Sequence, residues 1–477
     1  MPLKSIVVCL CFQFSGFPAF AQPPVEKLAS SSFTWALESV GDVDSVTTSD
    51  DLALIGSRSK DFESAEVHCV ETSSGRIRWT IAFPRLEKSW LDNRSSGIRS
   101  NITVERDRVV FLSNRSEIVC LDLNGLSDGN NDGIVDPLEQ NNTDVIWRYD
   151  LREKLGVFKK SEAGFGTPWP SPRVIGNRVY CATGNADVHG LPDGAIDSLK
   201  NHPVPAPTSP SFVCLNLDDG SLVWSFNAPS ADVKYASVAS PVRIAANGDS
   251  LMFAVGGDGS AYGISELTGQ LLWKLDSQFF WSWFPPIVDG KFVYICNSIP
   301  PGTAFKGAEI LCYTQESLVR HGKEATPVWR YHSEAYRGSW VPPVVSQGIL
   351  FVRSDTGILI AIDATLGKEL WRDEIKFNET DFVPLKIRQN VLFVSADAVD
   401  DSTVESGVRC YEVGRERKLL KQVTWGHYLS AEIEFTSALA ILPSYDGLFA
   451  APKGELFPVG SKNSSEDSGK ENTIQDE

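Results

Sequence analysis

The sequence predicts an all-β fold, an eight-bladed β-propeller built from four-stranded antiparallel blades. Three observations carry this: a recurring tryptophan phrase, strand patterning inside each interval, and an orphan strand at the N-terminal end. The tryptophans Trp79, Trp147, Trp224, Trp273, Trp329, Trp371 and Trp425 are spaced by 68, 77, 49, 56, 42 and 54 residues. The floor near 42, enlarged elsewhere by insertion, matches four strands per repeat. The full phrase, a polar or acidic turn, Gly, and an apolar-x-Trp ending, reads ETSSGRIRW at 71–79, LDDGSLVW at 217–224, ELTGQLLW at 266–273 and DATLGKELW at 363–371. Trp147, Trp329 and Trp425 keep the ending after looser or inserted turns, in DVIWRY, TPVWRY and KQVTW.

Taken in order, the strand phrases give units at about 45–83, 97–150, 167–228, 235–275, 281–333, 339–374 and 381–426. SFVCLNL and SLVWSF alternate apolar and polar residues with the period of two expected of half-buried strands, and Asp219-Gly220 marks a hairpin turn between them. No window carries a long helical stripe. The last unit, 437–459, has inner strands but no closing tryptophan strand; SFTWALES at 32–39 supplies it. Pairing this N-terminal strand with the last blade closes the ring, puts Trp35 at the eighth tryptophan position and removes two open sheet edges.

Residues 1–21 read as a signal peptide: Lys4, an apolar run from 5 to 17, and Ala19-Phe20-Ala21 before Gln22. The run is too short to span a membrane, so the expectation is an exported protein, periplasmic or extracellular. Residues 22–460 form a single propeller domain, and the polar 461–477 a disordered acidic tail. Losing Lys4 takes the net charge from −17 to −18. That charge, with no basic patch among aromatics, argues against nucleic acid as a partner. No later segment is apolar enough for a transmembrane span, and a monomer is expected.

Seven cysteines remain in the mature chain, an odd number with no CxxC. Cys69, Cys120, Cys214, Cys312 and Cys410 recur in one strand of their units, Cys181 and Cys296 in the preceding one. They read as small buried hydrophobes.

Residues 128–139, DGNNDGIVDPLE, match the calcium-loop spacing D-x-[DN]-x-[DN]-G-x5-E. Asp128, Asn130 and Asp132 are the expected side-chain ligands, Ile134 offers its carbonyl, Asp136 binds directly or through water, and Glu139 can be bidentate. Asp136, Pro137 and Glu139 also read as N-cap, first helical residue and capping-box acid. The preceding segment is a strand rather than a helix, so the expectation is one structural Ca2+ inside an insertion at 123–143. A second insertion, 184–209, belongs to the next unit, and the two are expected to lie side by side.

The phrases TGQLLWKL, DGSLVWSF and LGKELWRD resemble the PQQ-like (pyrrolo-quinoline quinone) repeat superfamily from about 32 to 459. GLSDGNNDGIVD and VYCATGNADVHG resemble its exported planctomycete-type group. The superfamily holds quinoprotein alcohol dehydrogenases and the non-enzymatic outer-membrane assembly lipoprotein of the BamB type. The dehydrogenases carry adjacent cysteines over the quinone; this chain has no Cys-Cys pair. Their Thr-Gly-Asn-Pro segment, which supplies a calcium ligand beside the quinone, is matched by Thr183-Gly184-Asn185, with Ala186 in place of the proline. Asp258 and Asp355 read as turn residues, so no catalytic or cofactor-binding residue is assigned and PQQ is not expected. The aromatic runs at 279–286 and 338–343 either line a channel or pack between blades. The resulting expectation is a non-catalytic exported scaffold that binds protein or cell-envelope partners through a propeller face. Its rival is a PQQ-dependent alcohol dehydrogenase-like oxidoreductase.

Overall fold

The structure is a computed structural model that describes residues 23–84, 97–129, 133, 134, 136–138, 142–157, 170–185, 206–229, 236–275, 282–297, 308–375, 383–400 and 403–458. The expected signal peptide and tail lie outside them, as do Asn130, Asp132 and Glu139. The described chain forms eight antiparallel blades. Seven are consecutive: β3–β6 from Asp42 to Pro84, β7–β10 from Thr103 to Asp150, β11–β14 from Arg173 to Phe226, and β15–β18 from Val242 to Leu275, then β19–β22 from Ile287 to Tyr331, β23–β26 from Val344 to Glu374, and β27–β30 from Lys386 to Thr424. The eighth combines β31 (Glu434–Phe435), β32 (Leu439–Ser444) and β33 (Gly447–Pro452) with β2 (Trp35–Leu37) as its outermost strand.

Closure follows the predicted route, with Trp35 facing Ala450, Ala36 facing Phe449 and Leu37 facing Leu448. A second contact was not foreseen. Strand β1 (Val25–Lys27) adds in parallel to the outer edge of β30 (Leu419–Thr424), and Leu28 donates its amide to the Thr424 carbonyl at 2.7 Å. The N-terminal segment therefore grips blade seven before completing blade eight. Leu28 is buried beside Val423 and Trp425. Three extended residues with exposed side chains carry no periodicity, which is why the sequence does not show this strand.

The apolar core falls into eight clusters, one in each gap between neighbouring blades. The tryptophan phrase explains how each gap is filled. In the outermost strand the indole stands opposite a small residue of the third strand: Cys69 faces Trp79, Cys120 faces Trp147, Cys214 faces Trp224, Gly263 faces Trp273, Cys312 faces Trp329 and Ala361 faces Trp371. In blade four even a Cβ would collide with the ring, since one on Gly263 would lie 2.2 Å from Trp273. The residue before most of these tryptophans is a β-bulge, which increases the local twist.

Each indole then reaches across to the following blade. Trp147 lies over Gly220, Trp224 over Gly269 and Trp329 over Gly367, and those glycines are left-handed with φ of 67°, 69° and 68°. The Nε1–H donates to the carbonyl three residues before the glycine, at Leu217 (2.7 Å), Glu266 (3.0 Å) and Ala364 (3.1 Å). Trp35 does the same to Thr72, above Gly75. The glycine in each phrase thus receives the preceding blade's tryptophan. Trp79 and Trp371 depart from this spacing, donating to the carbonyls of Leu123 and Gly414 at 2.9 and 3.0 Å. Trp273 lies over Gly322, but the equivalent carbonyl belongs to Val319, inside helix α1 (Gln315–His321), and the buried Nε1 has no hydrogen-bond partner.

Blade seven corrects the reading of KQVTW. Cys410 faces Lys421, not Trp425. Lys421 performs the indole's task, donating Nζ to the Glu455 carbonyl at 2.7 Å and pairing with Glu26 at 3.1 Å. Trp425 lies just past the strand, buried between blades seven and eight. All seven cysteines are outside disulfides, buried and in the second or third strands as expected. Burial pushes the thiols of Cys69, Cys214, Cys312 and Cys410 up to about 12, away from nucleophilic chemistry.

Candidate functional site

The two ends of the ring differ in what the strands leave there. At the lower end, the first and second strands of the first seven blades are joined by two-residue turns such as Arg106-Asp107, Asn247-Gly248 and Gln347-Gly348. The connections between blades and those between second and third strands leave from the upper end, including 85–102, 151–172, 183–211, 297–309 and 332–343. Their stems are held there by a rigid scaffold.

This topology corrects the expected neighbourhood of the two insertions. Residues 123–144 join β9 (Glu117–Asp122) to β10 (Val145–Asp150), whereas 183–211 join β12 (Arg178–Ala182) to β13 (Phe212–Asn216), so their stems leave opposite ends of the ring. Leu123 accordingly bonds Asp107 in a lower turn, while Ser209 donates to the Gly156 carbonyl at 2.7 Å in an upper connection. Adjacent blades do not imply adjacent loops.

The Thr183-Gly184-Asn185 segment begins the upper insertion of blade three. Thr183 donates its hydroxyl to the Pro210 carbonyl at 2.7 Å. Asn185 is fully buried and donates its amide nitrogen to the carbonyls of Ala206 and Ser209, at 3.1 and 3.3 Å. These bonds tie the two stems of the insertion together. Asp258 sits in the turn before β17 (Ala261–Ile264), where it accepts from the Tyr262 hydroxyl at 2.6 Å and lies 3.4 Å from Lys274. Asp355 also occupies a turn; burial raises its carboxyl pKa against the pull of Arg337.

Among the described residues of the aromatic runs, Trp283, Phe284 and Trp340 pack between blades five and six. Trp283 is buried and stacks on Trp340 with ring centres 5.5 Å apart. Both begin the same local structure, in which Ser282 donates to the Phe284 carbonyl and Ser339 to that of Val341. Nearer the axis, residues at equivalent places in the innermost strands link blade to blade. Thr47 donates to Ile102, Thr103 to Pro172, and Lys386 pairs with Glu434 at 2.7 Å.

Of the six expected calcium ligands, Asp128, Ile134 and Asp136 are described. Asp128 closes a 3-10 turn begun at Gly125. Ile134 donates its amide to the Val145 carbonyl at 2.8 Å, laying the insertion against the outer edge of β10. Asp136 accepts from the Leu138 amide at 2.8 Å within a turn, and its other oxygen lies 2.7 Å from Arg148. Among the described residues no three His, Cys, Asp or Glu side chains gather as a metal site. No described helix is long and apolar enough to cross a membrane.

Eight four-stranded blades locked by tryptophan and glycine define a PQQ-like repeat propeller. The family model for the outer membrane protein assembly factor BamB matches residues 131–298 and 315–409, over half of the sequence, and the chain belongs to that family. The C-terminal WD40 domain of Sif2 is similar at 10% identity, over 90% of this chain and 99% of that one, with a TM-score of 0.54. Sqt1 from Saccharomyces cerevisiae is similar at 12% identity, over 88% and 99%, with a TM-score of 0.53. BamB from Moraxella catarrhalis aligns at 12% identity over 88% and 98%, with a TM-score of 0.49. At these identities Sif2 and Sqt1 show the fold alone. No curated protein matches the sequence.

Proposed function

We propose that this protein is a non-catalytic, exported scaffold of the planctomycete-type group, whose upper end binds protein or cell-envelope partners. The observation that carries this reading is the division of labour between the ends. Two-residue turns join the first and second strands of seven blades at the lower end, while at the upper end the stems of the blade-three insertion are tied together by Asn185 and Thr183 and to the preceding connection by Ser209. Site-specific photo-crosslinkers test the reading in the exporting cell. Exposed Glu334 and Arg337 at the upper end should yield discrete adducts, and exposed Asn247 at the lower end none. Equal adducts from both ends, or quinone-dependent alcohol oxidation, would overturn it.

The proposal includes a structural Ca2+ held by Asp128, Asn130, Asp132, Ile134, Asp136 and Glu139. The described residues fit one division of roles among these. Asp136 already accepts from the Leu138 amide and faces Arg148, so its share in the ion is through water, while the ion would offset the repulsion among the remaining carboxylates. Such an ion would stiffen the insertion along β10.

A further inference from the structure

Beside the seam where the ring closes lies a cavity of about 410 Å3, lined by Glu38, Gly41, Asp42, Lys60, Tyr445 and Asp446. Three upper-end segments meet there: the connection from β2 to β3 brings Glu38 to Gly41, that from β4 (Leu52–Arg58) to β5 (Ser64–Glu71) brings Lys60, and the turn from β32 to β33 brings Tyr445 and Asp446. We propose that this cleft binds a neutral, polyhydroxylated ligand, a segment of a glycan chain. The inference rests on the binding-scaffold reading above and names the chemistry of one partner.

The lining selects that class by what it offers. Gly41 has φ of 74°, and a Cβ there would lie 2.1 Å from the Arg58 carbonyl, so this stretch of wall is bare backbone. Two carboxylates are fixed in place. Asp42 pairs with Arg58, and Asp446 is held by the His427 ring at 2.6 Å and the Ser444 hydroxyl at 2.5 Å. Glu38 and Lys60 are exposed, and neither has a hydrogen-bond or ion-pair partner among the described residues. Tyr445 stands 45% exposed, a large aromatic at the rim of a polar cleft.

An anionic ligand would face three carboxylates here. A basic peptide would meet Lys60 and could not use it, because an ammonium has no acceptor. Hydroxyl groups both donate and accept, so vicinal hydroxyls can bond Lys60 on one side and Glu38 or Asp42 on the other. The apolar face of a sugar ring can lie on Tyr445, which is apolar in body and polar at its tip. The cavity is also within the roughly 300–1,000 Å3 of small-molecule sites.

Titration calorimetry of the mature chain with cellotetraose, chitotetraose and xylotetraose tests the proposal, with tetralysine as the cationic probe. At least one neutral tetrasaccharide should bind saturably, with tetralysine silent. Tyr445→Ala and Glu38→Gln should each weaken that binding about tenfold or more, a loss of about 1.4 kcal/mol, with unchanged melting curves. Leu267→Ser, in a lower turn, should leave it intact. Should Tyr445→Ala not fold, Lys60→Met carries the same expectation. No binding of any of the three sugars, binding indifferent to these variants, or binding of tetralysine instead would each overturn the proposal. Crosslinking from Glu334 and Arg337 does not depend on this cleft, so failure here is separable from failure of the scaffold reading.

Discussion

Trp35 stands directly across the last blade from Ala450, joining the two ends of the described chain in one sheet. Its indole continues to the Thr72 carbonyl of blade one at 2.8 Å. One residue thus completes blade eight and docks it on its neighbour, and the ring depends on it at two interfaces.

Deleting residues 32–39 should therefore open blade eight and uncover β33. The expected outcome is loss of a single cooperative melting transition, or aggregation at the exposed edge. Differential scanning calorimetry of wild type and deletion checks this, and superimposable curves would contradict closure by this strand.

The docking glycines should be separable from glycines that serve only a turn. Gly176 is left-handed with nothing within 4 Å of an added Cβ, so Gly176→Ala should cost only the backbone penalty, about 1–2 kcal/mol. Gly220 is left-handed as well, but its Cβ would lie 2.6 Å from Trp147, so Gly220→Ala should lose about 1–3 kcal/mol more. Urea unfolding of the two variants measures the difference. Equal losses would mean that the indole contact is slack.

Asp363 gives a signed pH dependence. Burial raises its pKa, but Arg415 at 2.7 Å and the amides of Leu366 and Thr365 outweigh burial, and the net value lies below the ordinary 3.8. A depressed folded value means that its stabilisation is present above the unfolded pKa and fades as pH falls through the folded one. Asp363→Asn should melt lower than wild type at neutral pH, and the gap should close as pH falls through the depressed folded pKa. A gap that stays constant on acidification would assign the loss to packing instead.

How much of this was legible follows from what each residue does. The tryptophan phrase was readable because Gly and Trp each meet a strict steric demand in nearly every blade, and Trp35 was placed by the blade it was needed to complete. Trp425 misled because KQVTW repeats the ending without the register: Lys421 occupies the position opposite Cys410, and a lysine has no motif to announce it. The wrong pairing of the two insertions arose from treating neighbouring blades as neighbouring loops. Helix α1 was missed as a single element, although Thr314 caps it by accepting from the Ser317 amide at 3.1 Å and Gly322 ends it, both readable signals. The upper-end cleft could not be read at all, since its six residues come from three distant segments.

The calcium proposal concerns stability. Binding confined to the folded insertion should stabilise the protein by about 2.7 kcal/mol when free calcium is about 100 times the dissociation constant. Asp128→Ala combined with Glu139→Ala should abolish that gain. Isothermal titration of the mature chain with calcium measures it, and no saturable heat up to millimolar calcium would reduce residues 128–139 to an acidic turn.

The central claim is that this ring binds partners without quinone chemistry. The most direct measurement is dye-linked alcohol oxidation by the purified mature chain after incubation with PQQ and calcium, with PQQ retention followed by its absorbance. The account expects no retained quinone and no oxidation above the protein-free control. Stoichiometric retention of PQQ with alcohol-dependent dye reduction, abolished by Asn185→Ala, would contradict it.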